Sequence, residues 1–395
     1  MKIILIHNFY GSNVPSGENL VYEAEKKMLE ERGHEVHTFI RHSDEIRSEG
    51  LWGLIKGASS TPWNIFTYRE IKEFVKKVKP DIVHVHNTFP MISPSIFHAI
   101  GSATALVFTL HNYRIFCASG IPMRNNDICT ECLDKKSALP SLKYGCYRNS
   151  RIATFPIAVS INIHGLLSTW NNKVSAYIAL TEFQKNKVIS AGLKAEKVYV
   201  KPNFYPGSPK VVNWDMRENT IIFAGRLSDE KGVRNLVLAW RIWGKNAPQL
   251  NIIGDGPLRF ELENMAKELN IKFFGQLSTK DAQMHISNSK LLLLPSECFE
   301  GFPLVIREAF AFGTPVAVSS IGPLINIVKL GKCGVHFEPR NPKSLFKIVK
   351  DLWCDQSKLK KLSEGARYEF NEFYNEQVNY NILLNIYNKA IASLN

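Results

Sequence analysis

Short, continuous apolar runs alternate with polar and helical stretches along this chain. In the first half these runs are residues 2–6, 35–40, 81–86, 105–110 and 176–180. Runs of this kind, without strict alternation of apolar and polar residues, are typical of parallel strands that are buried on both faces. The stretches between them leave room for helices, and the first helix, over residues 17–32, would be ended by Gly33. The pattern predicts the opening of a doubly wound α/β domain.

The same pattern restarts after residues 201–203. Residues 204–217 hold two prolines and one glycine and show no clear periodicity, which indicates a linker. The strands predicted beyond it are residues 220–224, 249–253, 271–274, 290–294 and 315–318. A chain of 395 residues also exceeds what one hydrophobic core usually fills. We therefore predict two Rossmann-like domains, residues 1–203 and 204–370, and a helix within residues 371–395 that could cross back to the first domain.

Two doubly wound domains in one chain have a consequence for ligand binding. Ligands of open parallel sheets bind beyond the carboxyl ends of the strands. We therefore expect the two domains to face a cleft, with one substrate bound to each.

The formal charge of +13 is unevenly distributed along the chain. Residues 101–200 hold twelve Lys or Arg and five Asp or Glu, whereas residues 1–100 hold twelve of each. A basic surface can serve anionic lipid headgroups or phosphorylated substrates, or it can simply be solvated. The sequence has no nucleic-acid-binding motif, so we expect no nucleic-acid partner.

The chain has no apolar run long enough to predict a transmembrane helix. The first residues become polar too soon for a signal peptide. Residues 152–170 are the most apolar stretch, but Pro156, Asn162 and His164 interrupt it, which favours a buried helix over an interfacial one. We expect a cytoplasmic protein that could bind peripherally to the cytoplasmic face of the inner membrane.

A loop and a helix follow the predicted strand at residues 290–294. Gly301 allows the backbone to approach a ligand closely, and Pro303 suits the first position of a helix whose amide groups would face an anion such as a diphosphate. Glu300 lies in the loop and Glu308 eight residues later, so the two carboxylates could bind hydroxyl groups at opposite ends of one ligand. Two glutamates at this spacing are by themselves more often solvated helix residues.

A second cluster follows the strand at residues 220–224. Gly225 and Arg226 form the turn, and Lys231 and Gly232 follow at a predicted helix start. Two fixed cations can neutralise a departing nucleoside diphosphate without magnesium. The alternative is a pair of surface cations.

Residues 300–316 read Glu-Gly-Phe-Pro-Leu-Val-Ile-Arg-Glu-Ala-Phe-Ala-Phe-Gly-Thr-Pro-Val, which closely resembles the E-x7-E signature of the retaining glycosyltransferases of family 4, group 1 type. Members of this family have the GT-B fold, and the resemblance extends over nearly the whole chain. It implies that Glu300 contacts the donor sugar and Glu308 the ribose. It further implies that the amides of Gly301, Phe302, Pro303 and Leu304 meet the sugar and phosphates. By the same resemblance, Gly225, Arg226 and Lys231 belong to the diphosphate clamp.

Two further loops resemble family elements. Gly254, Asp255, Gly256 and Pro257 match the family's Gly-x-Gly-Pro turn, although Asp255 could equally cap a helix that starts at Pro257. In the first domain, Gly17 and Glu18 resemble the Gly-Gly-x-Glu turn that faces donor phosphates and acceptor. Ser16 replaces the first glycine there, so a side chain occupies the position of close phosphate approach.

His111 follows the predicted strand at residues 105–110, at the edge where functional residues of such a domain lie. In the family, the equivalent histidine reaches into the cleft between donor and acceptor. A loop histidine without a function is the alternative.

Four of the seven cysteines cluster within the segment at about residues 112–150. They are Cys117, Cys129, Cys132 and Cys146. A Cys-x2-Cys pair flanked by two further cysteines predicts a structural zinc site, because four thiolates complete a tetrahedral shell. We expect no cofactor for catalysis.

These observations together predict a glycosyltransferase, and the resemblance to family 4 implies that it retains the anomeric configuration. The donor would be a UDP-, GDP- or ADP-sugar, and the acceptor a saccharide or a lipid-linked molecule in bacterial surface polysaccharide synthesis. A sugar-nucleotide epimerase of the same architecture and a non-catalytic sugar-nucleotide-binding protein are the alternatives.

Overall fold

The computed structural model describes residues 1–11, 16–45 and 50–394, with the backbone alone at residues 51, 52 and 54–56. The chain divides into two compact units. Unit 1 comprises Met1–Pro122, Cys129–Pro202 and Asn379–Asn395, and unit 2 comprises Met123–Ile128 and Asn203–Val378.

Unit 1 is built on a six-stranded parallel sheet in the order β2-β1-β3-β4-β7-β8. Its strands are β1 (Lys2–Phe9), β2 (Glu35–His42), β3 (Ile82–Asn87), β4 (Ala105–Leu110), β7 (Ala176–Ala179) and β8 (Val198–Val200). Its helices are α1 (Gly17–Glu31), α2 (Gly50–Ser60), α3 (Ile65–Val78), α4 (Glu131–Asp134), α5 (Leu139–Tyr144), α6 (Arg151–Leu166), α7 (Thr169–Asn172) and α8 (Glu182–Ser190). The central strands β3, β4 and β7 are buried at every residue, as continuous apolar runs predict.

Unit 2 is built on a second six-stranded parallel sheet, in the order β11-β10-β9-β12-β13-β14. Its strands are β9 (Thr220–Ala224), β10 (Gln249–Ile253), β11 (Ile271–Gly275), β12 (Leu291–Leu294), β13 (Val316–Ser319) and β14 (Gly334–Phe337). Its helices are α9 (Val233–Trp243), α10 (Arg259–Met265), α11 (Thr279–Asn288), α12 (Leu304–Ala311), α13 (Leu324–Ile327), α14 (Pro342–Cys354) and α15 (Gln356–Glu369). Trp240 is fully buried at the centre of the core beneath this sheet.

The last helix, α16 (Glu376–Ala392), spans the boundary between the two units along the chain. Unit 2 ends at Val378, and the rest of the helix, from Asn379 onward, belongs to unit 1. Within unit 1, the Tyr387 hydroxyl lies 2.8 Å from Nδ1 of His84 on β3. The side-chain amide of Asn379 donates a hydrogen bond to the Pro202 carbonyl. This part of α16 therefore belongs to the core of unit 1.

Both sheets are doubly wound, as expected, but the structure has elements that the apolar runs did not predict. Strands β8 and β14 are three and four residues long. The antiparallel pair β5 (Met123–Arg124) and β6 (Asp127–Ile128) has two residues in each strand. Such short segments carry too few residues for a periodic signal. No helix among the described residues is long and apolar enough to cross a lipid bilayer.

Candidate active site

The predicted donor residues follow two neighbouring strands of unit 2. Strands β10 and β11 lie on one side of β9 and strand β12 on the other, so the strand order reverses between β9 and β12. Open α/β sheets bind ligands at such a switch point, beyond the carboxyl ends of the strands. Arg226 and Lys231 follow β9, and Glu300 follows β12. The topology therefore brings these three residues to the edge where a ligand is expected.

Backbone hydrogen bonds join the loop after β9 to the loop after β10. The Gly225 amide donates to the Ile253 carbonyl at 2.9 Å, and the Leu227 amide donates to the Asp255 carbonyl at 3.0 Å. A Cβ atom at Gly254, where φ is +130°, would lie 1.9 Å from the Gly225 carbonyl oxygen. Glycine is therefore required for the two loops to pack this closely.

The loop after β9 also packs against the loop after β12. Gly232 has φ of +64°, and a Cβ atom there would lie 2.0 Å from the carbonyl oxygen of Pro295. The Glu297 amide donates to the Glu230 carbonyl at 2.9 Å. This contact fixes the position of Lys231 relative to Glu300, although the two residues are far apart in sequence.

Lys231 and Glu300 form an ion pair. The Lys231 ammonium donates to Oε1 of Glu300 at 2.6 Å, and the Ser296 hydroxyl donates to the same oxygen at 2.6 Å. Burial opposes the charge on Lys231, but Glu300 and then Cys298 outweigh it and raise the lysine pKa. Lys231 therefore stays protonated at neutral pH, while Arg226 is exposed on the same loop.

Glu308 lies on α12 and is held by residues that no sequence motif marked. The Gln283 amide donates to Oε1 of Glu308 at 3.2 Å, and the Tyr205 hydroxyl donates to Oε1 of Gln283 at 3.1 Å. Burial raises the pKa of Glu308, and Arg307 and the Gln283 hydrogen bond oppose that shift. The chain from Tyr205 through Gln283 orients the carboxylate, and only contacts in the fold could have identified it.

The start of α12 differs in detail from the prediction. Pro303 occupies the N-cap position, with ψ of 119°, and the first helical residue is Leu304. The prediction that Pro303 opens the helix is therefore wrong by one residue. The Phe302 ring packs against Tyr374 at 5.4 Å between centroids and is buried, so only its backbone is available to a ligand. Gly301 precedes it in the loop, and amides of a first helical turn have no partner within the helix.

Asp255 is not the N-cap of the following helix. Helix α10 begins at Arg259, with Leu258 as its N-cap, two residues later than the start predicted at Pro257. The Asp255 carboxylate accepts a hydrogen bond from the Gly256 amide at 2.7 Å and one from the Arg259 guanidinium at 3.3 Å. The carboxylate therefore stabilises the turn itself.

In unit 1, Glu18 and the segment after β4 are brought together. The Asn112 amide donates to Oε1 of Glu18 at 2.7 Å. Burial raises the pKa of Glu18, and Asn112 and Arg114 oppose that shift. Gly17 is the first residue of α1. β1 continues to Phe9, and residues 12–15 between β1 and α1 lie outside the described residues.

His111 is stacked on a second histidine that the sequence did not single out. Nε2 of His111 lies 3.1 Å from Nδ1 of His86 at the end of β3, and the two rings are 5.3 Å apart. Burial, and then His86 and His7, lower the pKa of His111 well below its usual range. His111 is therefore a neutral imidazole at pH 7. Both His86 and His111 line a small cavity within unit 1.

Beneath His86 lies a fully buried acidic side chain. The Glu25 carboxylate accepts a hydrogen bond from the Lys201 ammonium at 2.7 Å and lies 3.1 Å from His84 and 3.3 Å from His86. Burial opposes ionisation of Glu25, but Lys201 and then His84 hold its pKa well below the usual range. Lys201 supplies positive charge to this cluster, so its ammonium and the Glu25 carboxylate form a buried ion pair beside His84, whose pKa burial lowers to about 4.

The four cysteines lie in one region, without the geometry of a complete metal site. Burial, followed by Cys117, raises the pKa of Cys132 to about 12, and Cys146 and Cys129 contribute. The Cys117 thiol lies 3.1 Å from the Ser119 hydroxyl. Among the described residues, the His, Cys, Asp and Glu ligand atoms gathered within 4.8 Å of one another are those of Glu25, His84 and His86. Zinc at the cysteines stays a prediction.

Comparisons with known proteins agree with this architecture. A crystal structure of Anabaena HepE in complex with UDP-glucose matches with a TM-score of 0.64 and 18% identity, covering 98% of this chain and 99% of that one. The lipopolysaccharide outer core galactosyltransferase WaaB matches with a TM-score of 0.63 and 17% identity, at the same coverage. The two parallel-sheet units are thus those of the GT-B glycosyltransferases.

Sequence comparison gives the family. The model of glycosyltransferase family 4 matches residues 18–206, and the model of the glycosyl transferases group 1 matches residues 206–369. An uncharacterised glycosyltransferase of Methanocaldococcus jannaschii is 23% identical over the full length of both chains. The chain belongs to the family 4, group 1 glycosyltransferases.

Proposed function

We propose that this glycosyltransferase moves a sugar from a nucleoside diphosphate sugar to a saccharide or lipid-linked acceptor, with retention of the anomeric configuration and without a catalytic metal. The observation that carries the proposal is the ion pair of Lys231 and Glu300 at the switch point of unit 2. A cation and a carboxylate in contact can bind a diphosphate and a sugar hydroxyl that are themselves adjacent.

The leaving group would be stabilised by fixed positive charge. Lys231 and Arg226 would bind the diphosphate, and the first-turn amides of α12 would face its oxygens. Because Lys231 is held in place by Glu300 and by the packed glycine loops, little reorganisation of its charge is needed as the glycosidic bond breaks. In this scheme the two cations neutralise the charge of the departing diphosphate, as magnesium does in other transferases. Their presence supports metal-independent catalysis.

The second carboxylate would bind the nucleoside. Glu308, oriented by Gln283, would accept hydrogen bonds from the ribose hydroxyls. Retention would follow if the acceptor hydroxyl attacks from the face that the diphosphate leaves and gives its proton to the departing phosphate. No carboxylate nucleophile is required in this scheme, in contrast to the retaining glycosidases.

The acceptor would bind in unit 1. The neutral His111 imidazole can donate or accept a hydrogen bond at the edge of the cavity, with Glu18 and Asn112 beside it. The likeness to WaaB, a lipopolysaccharide galactosyltransferase, supports a place in bacterial surface polysaccharide synthesis. The likeness to HepE, seen with UDP-glucose, makes UDP-sugars the first donors to test.

A thermal-shift panel tests the donor assignment. UDP-, GDP- and ADP-sugars are added in turn, and the ligand that binds the native state raises the unfolding midpoint. We expect one base to give a clear shift that the Glu308→Gln variant loses. No shift with any of the three would contradict the proposal.

Product analysis separates transfer from the two alternatives. The donor that binds is incubated without acceptor, and the products are resolved by NMR. Slow release of the nucleoside diphosphate and of a free sugar that is not epimerised supports a transferase. An epimerised donor would indicate an epimerase, and an intact donor would indicate a binding protein.

We also propose that Cys117, Cys129, Cys132 and Cys146 hold a structural zinc ion. Zinc would lower the pKa of the buried Cys132 thiol and bring the thiolates together. Metal analysis of the purified protein is expected to give one zinc per chain. Far less than one zinc per chain would contradict this assignment.

A further inference from the structure

Helix α6 exposes an apolar face along its whole length. The exposed fractions are 88% for Ile152, 56% for Phe155 and 86% for Leu166, and Ile163 between them is also exposed. These residues, with the half-buried Val159, recur at intervals of three and four residues and so share one side of the helix. The opposite side, which includes Thr154, Ile157, Ala158, Ile161 and His164, is buried in unit 1. The sequence favoured a buried helix, whereas the structure buries only one face.

The apolar face extends onto neighbouring segments. Leu139 and Tyr144 on α5 and Leu167 after α6 are exposed large apolar side chains as well. Leu139 and Leu166 also line an open groove with Lys136. Exposed apolar patches of this extent mark a contact with another molecule or a membrane.

The segments that form the face are basic in sequence, although Glu131 and Asp134 lie on the neighbouring α4. Between residues 135 and 181 the sequence has six Lys or Arg and no Asp or Glu. Three of them, Lys143, Arg148 and Arg151, lie on α5, at the start of α6 or between the two helices. A bilayer that contains anionic lipids has negatively charged headgroups above an apolar core. Apolar side chains flanked by basic ones are complementary to such a surface.

We propose that the exposed face of α6 docks unit 1 on an anionic lipid bilayer. The helix has sixteen residues and lies flat, with Ile152, Phe155 and Leu166 inserted at the level of the headgroups. Lys143, Arg148 and Arg151 bind lipid phosphates beside it. The groove lined by Leu139 and Leu166 shares Ile115, Ile161 and Trp170 with the cavity that His111 lines, so the docking face lies next to the part of unit 1 proposed to bind the acceptor.

A flotation experiment tests the docking face directly, and it uses no donor sugar, so its outcome is independent of the proposed transfer reaction. The full chain is mixed with vesicles of phosphatidylcholine alone or with about 30% phosphatidylglycerol, at low and at high salt. We expect the protein to float with anionic vesicles, to float less at high salt, and to stay at the bottom with neutral vesicles.

Matched variants locate the contact. Phe155→Ser with Leu166→Ser should lower the vesicle-bound to free ratio about tenfold or more. Phe260→Ser with Leu330→Ser replaces equally exposed side chains of unit 2 and should leave the ratio unchanged. Lys143→Gln with Arg151→Gln should lower the ratio and weaken its salt dependence, whereas Lys27→Gln with Lys72→Gln should not.

Three results would overturn the proposal. The first is wild-type protein that does not float with anionic vesicles at low salt. The second is a Phe155→Ser and Leu166→Ser variant that floats as well as the wild type while unfolding at the same temperature. The third is a wild-type protein that sediments as a dimer at equilibrium, combined with a Phe155→Ser and Leu166→Ser variant that sediments as a monomer but floats as the wild type does. The face would then be an interface between two copies of this chain.

Discussion

Lys231 and Glu300 form an ion pair, although the sequence predicts that they bind different parts of the donor. The lysine was expected at the diphosphate and the glutamate at the sugar, and their charged atoms lie 2.6 Å apart. Ser296 shares the same carboxylate oxygen. At the scale of single residues the site is therefore preorganised, because each charge is already held by a partner of opposite sign or by a hydroxyl.

The chain of Tyr205, Gln283 and Glu308 gives a prediction at this scale. Gln283→Ala removes the hydrogen bond that orients the Glu308 carboxylate. Hydrogen bonds to charged groups are worth about 1.5–3 kcal/mol, so we expect the donor KM to rise about tenfold or more, with kcat nearly unchanged. Steady-state kinetics with varied donor checks this.

Gln276→Ala is the matched control, because Gln276 is exposed. It should leave both kinetic constants at their wild-type values. A Gln283→Ala enzyme that loses kcat at constant KM would show that Gln283 does not act through donor binding.

Motifs marked only part of the site. Arg226, Lys231, Glu300 and Glu308 lie in recognisable strings, since their chemistry requires fixed spacing within a loop. Gln283 and His86 act through contacts between distant segments, and nothing local in the sequence distinguishes them from ordinary polar residues. Pairing between distant residues is fixed by the packing of strands and loops, which a one-dimensional pattern does not contain.

At the scale of elements, the donor loops are joined by glycines. Gly232 and Gly254 have positive φ, and each leaves room for a carbonyl oxygen of a neighbouring loop. The strands themselves were predictable from their continuous apolar runs. The loop contacts were not, because they depend on which strands are neighbours in the sheet.

Gly232→Ala tests the loop packing. The new methyl group would lie 2.0 Å from the Pro295 carbonyl oxygen, so the two loops must separate. We expect a loss of about 3 kcal/mol or more in the free energy of unfolding, together with weaker donor binding. Urea unfolding and donor thermal shift measure the two effects.

Gly33→Ala separates strain from contact. Gly33 ends α1 with a similar φ of +79°, in the capping motif in which the His34 amide donates to the Leu29 carbonyl, but a Cβ atom there meets nothing within 4 Å. The free energy of unfolding of this variant should fall by only about 1 kcal/mol, and its donor binding should be normal. Equal losses in the two variants would mean that backbone strain, and not contact with the loop after β12, accounts for the role of Gly232.

At the scale of the whole molecule, the two units differ in their buried ionisable groups. Burial lowers the pKa of His7 to about 3 and of His84 and His164 to about 4, and His111 is lowered as well. All four histidines belong to unit 1. In unit 2, burial raises the pKa of Glu297 and Glu308.

These shifts predict that acid destabilises unit 1 more than unit 2. Between pH 6.5 and 4 the unfolded chain binds protons at histidines that stay neutral in the native state. The free energy of unfolding of unit 1 therefore decreases as the pH is lowered through this range. A carboxyl group whose pKa is raised in the native state has the opposite effect, because the native state binds a proton there before the unfolded chain does. Lowering the pH therefore stabilises unit 2 through Glu297 and Glu308. Glu18 partly offsets the loss of stability in unit 1.

Amide hydrogen exchange at pH 7 and pH 5, corrected for the intrinsic rates, resolves the two units. Protection of β1, β3 and β4 should fall on acidification by about 1 kcal/mol or more, the scale of one shifted histidine. Protection of β9, β10 and β12 should change less. An equal fall in both sheets would contradict the assignment of neutral buried histidines.

The central claim is that unit 2 binds the donor diphosphate through Lys231. Turnover of Lys231→Ala with donor and acceptor tests it most directly, beside Lys267→Ala, which removes an exposed lysine of the same unit. Loss of a preorganised charge partner is expected to lower turnover about a hundredfold or more, with the control unchanged. Near-normal turnover of a folded Lys231→Ala enzyme would contradict the claim.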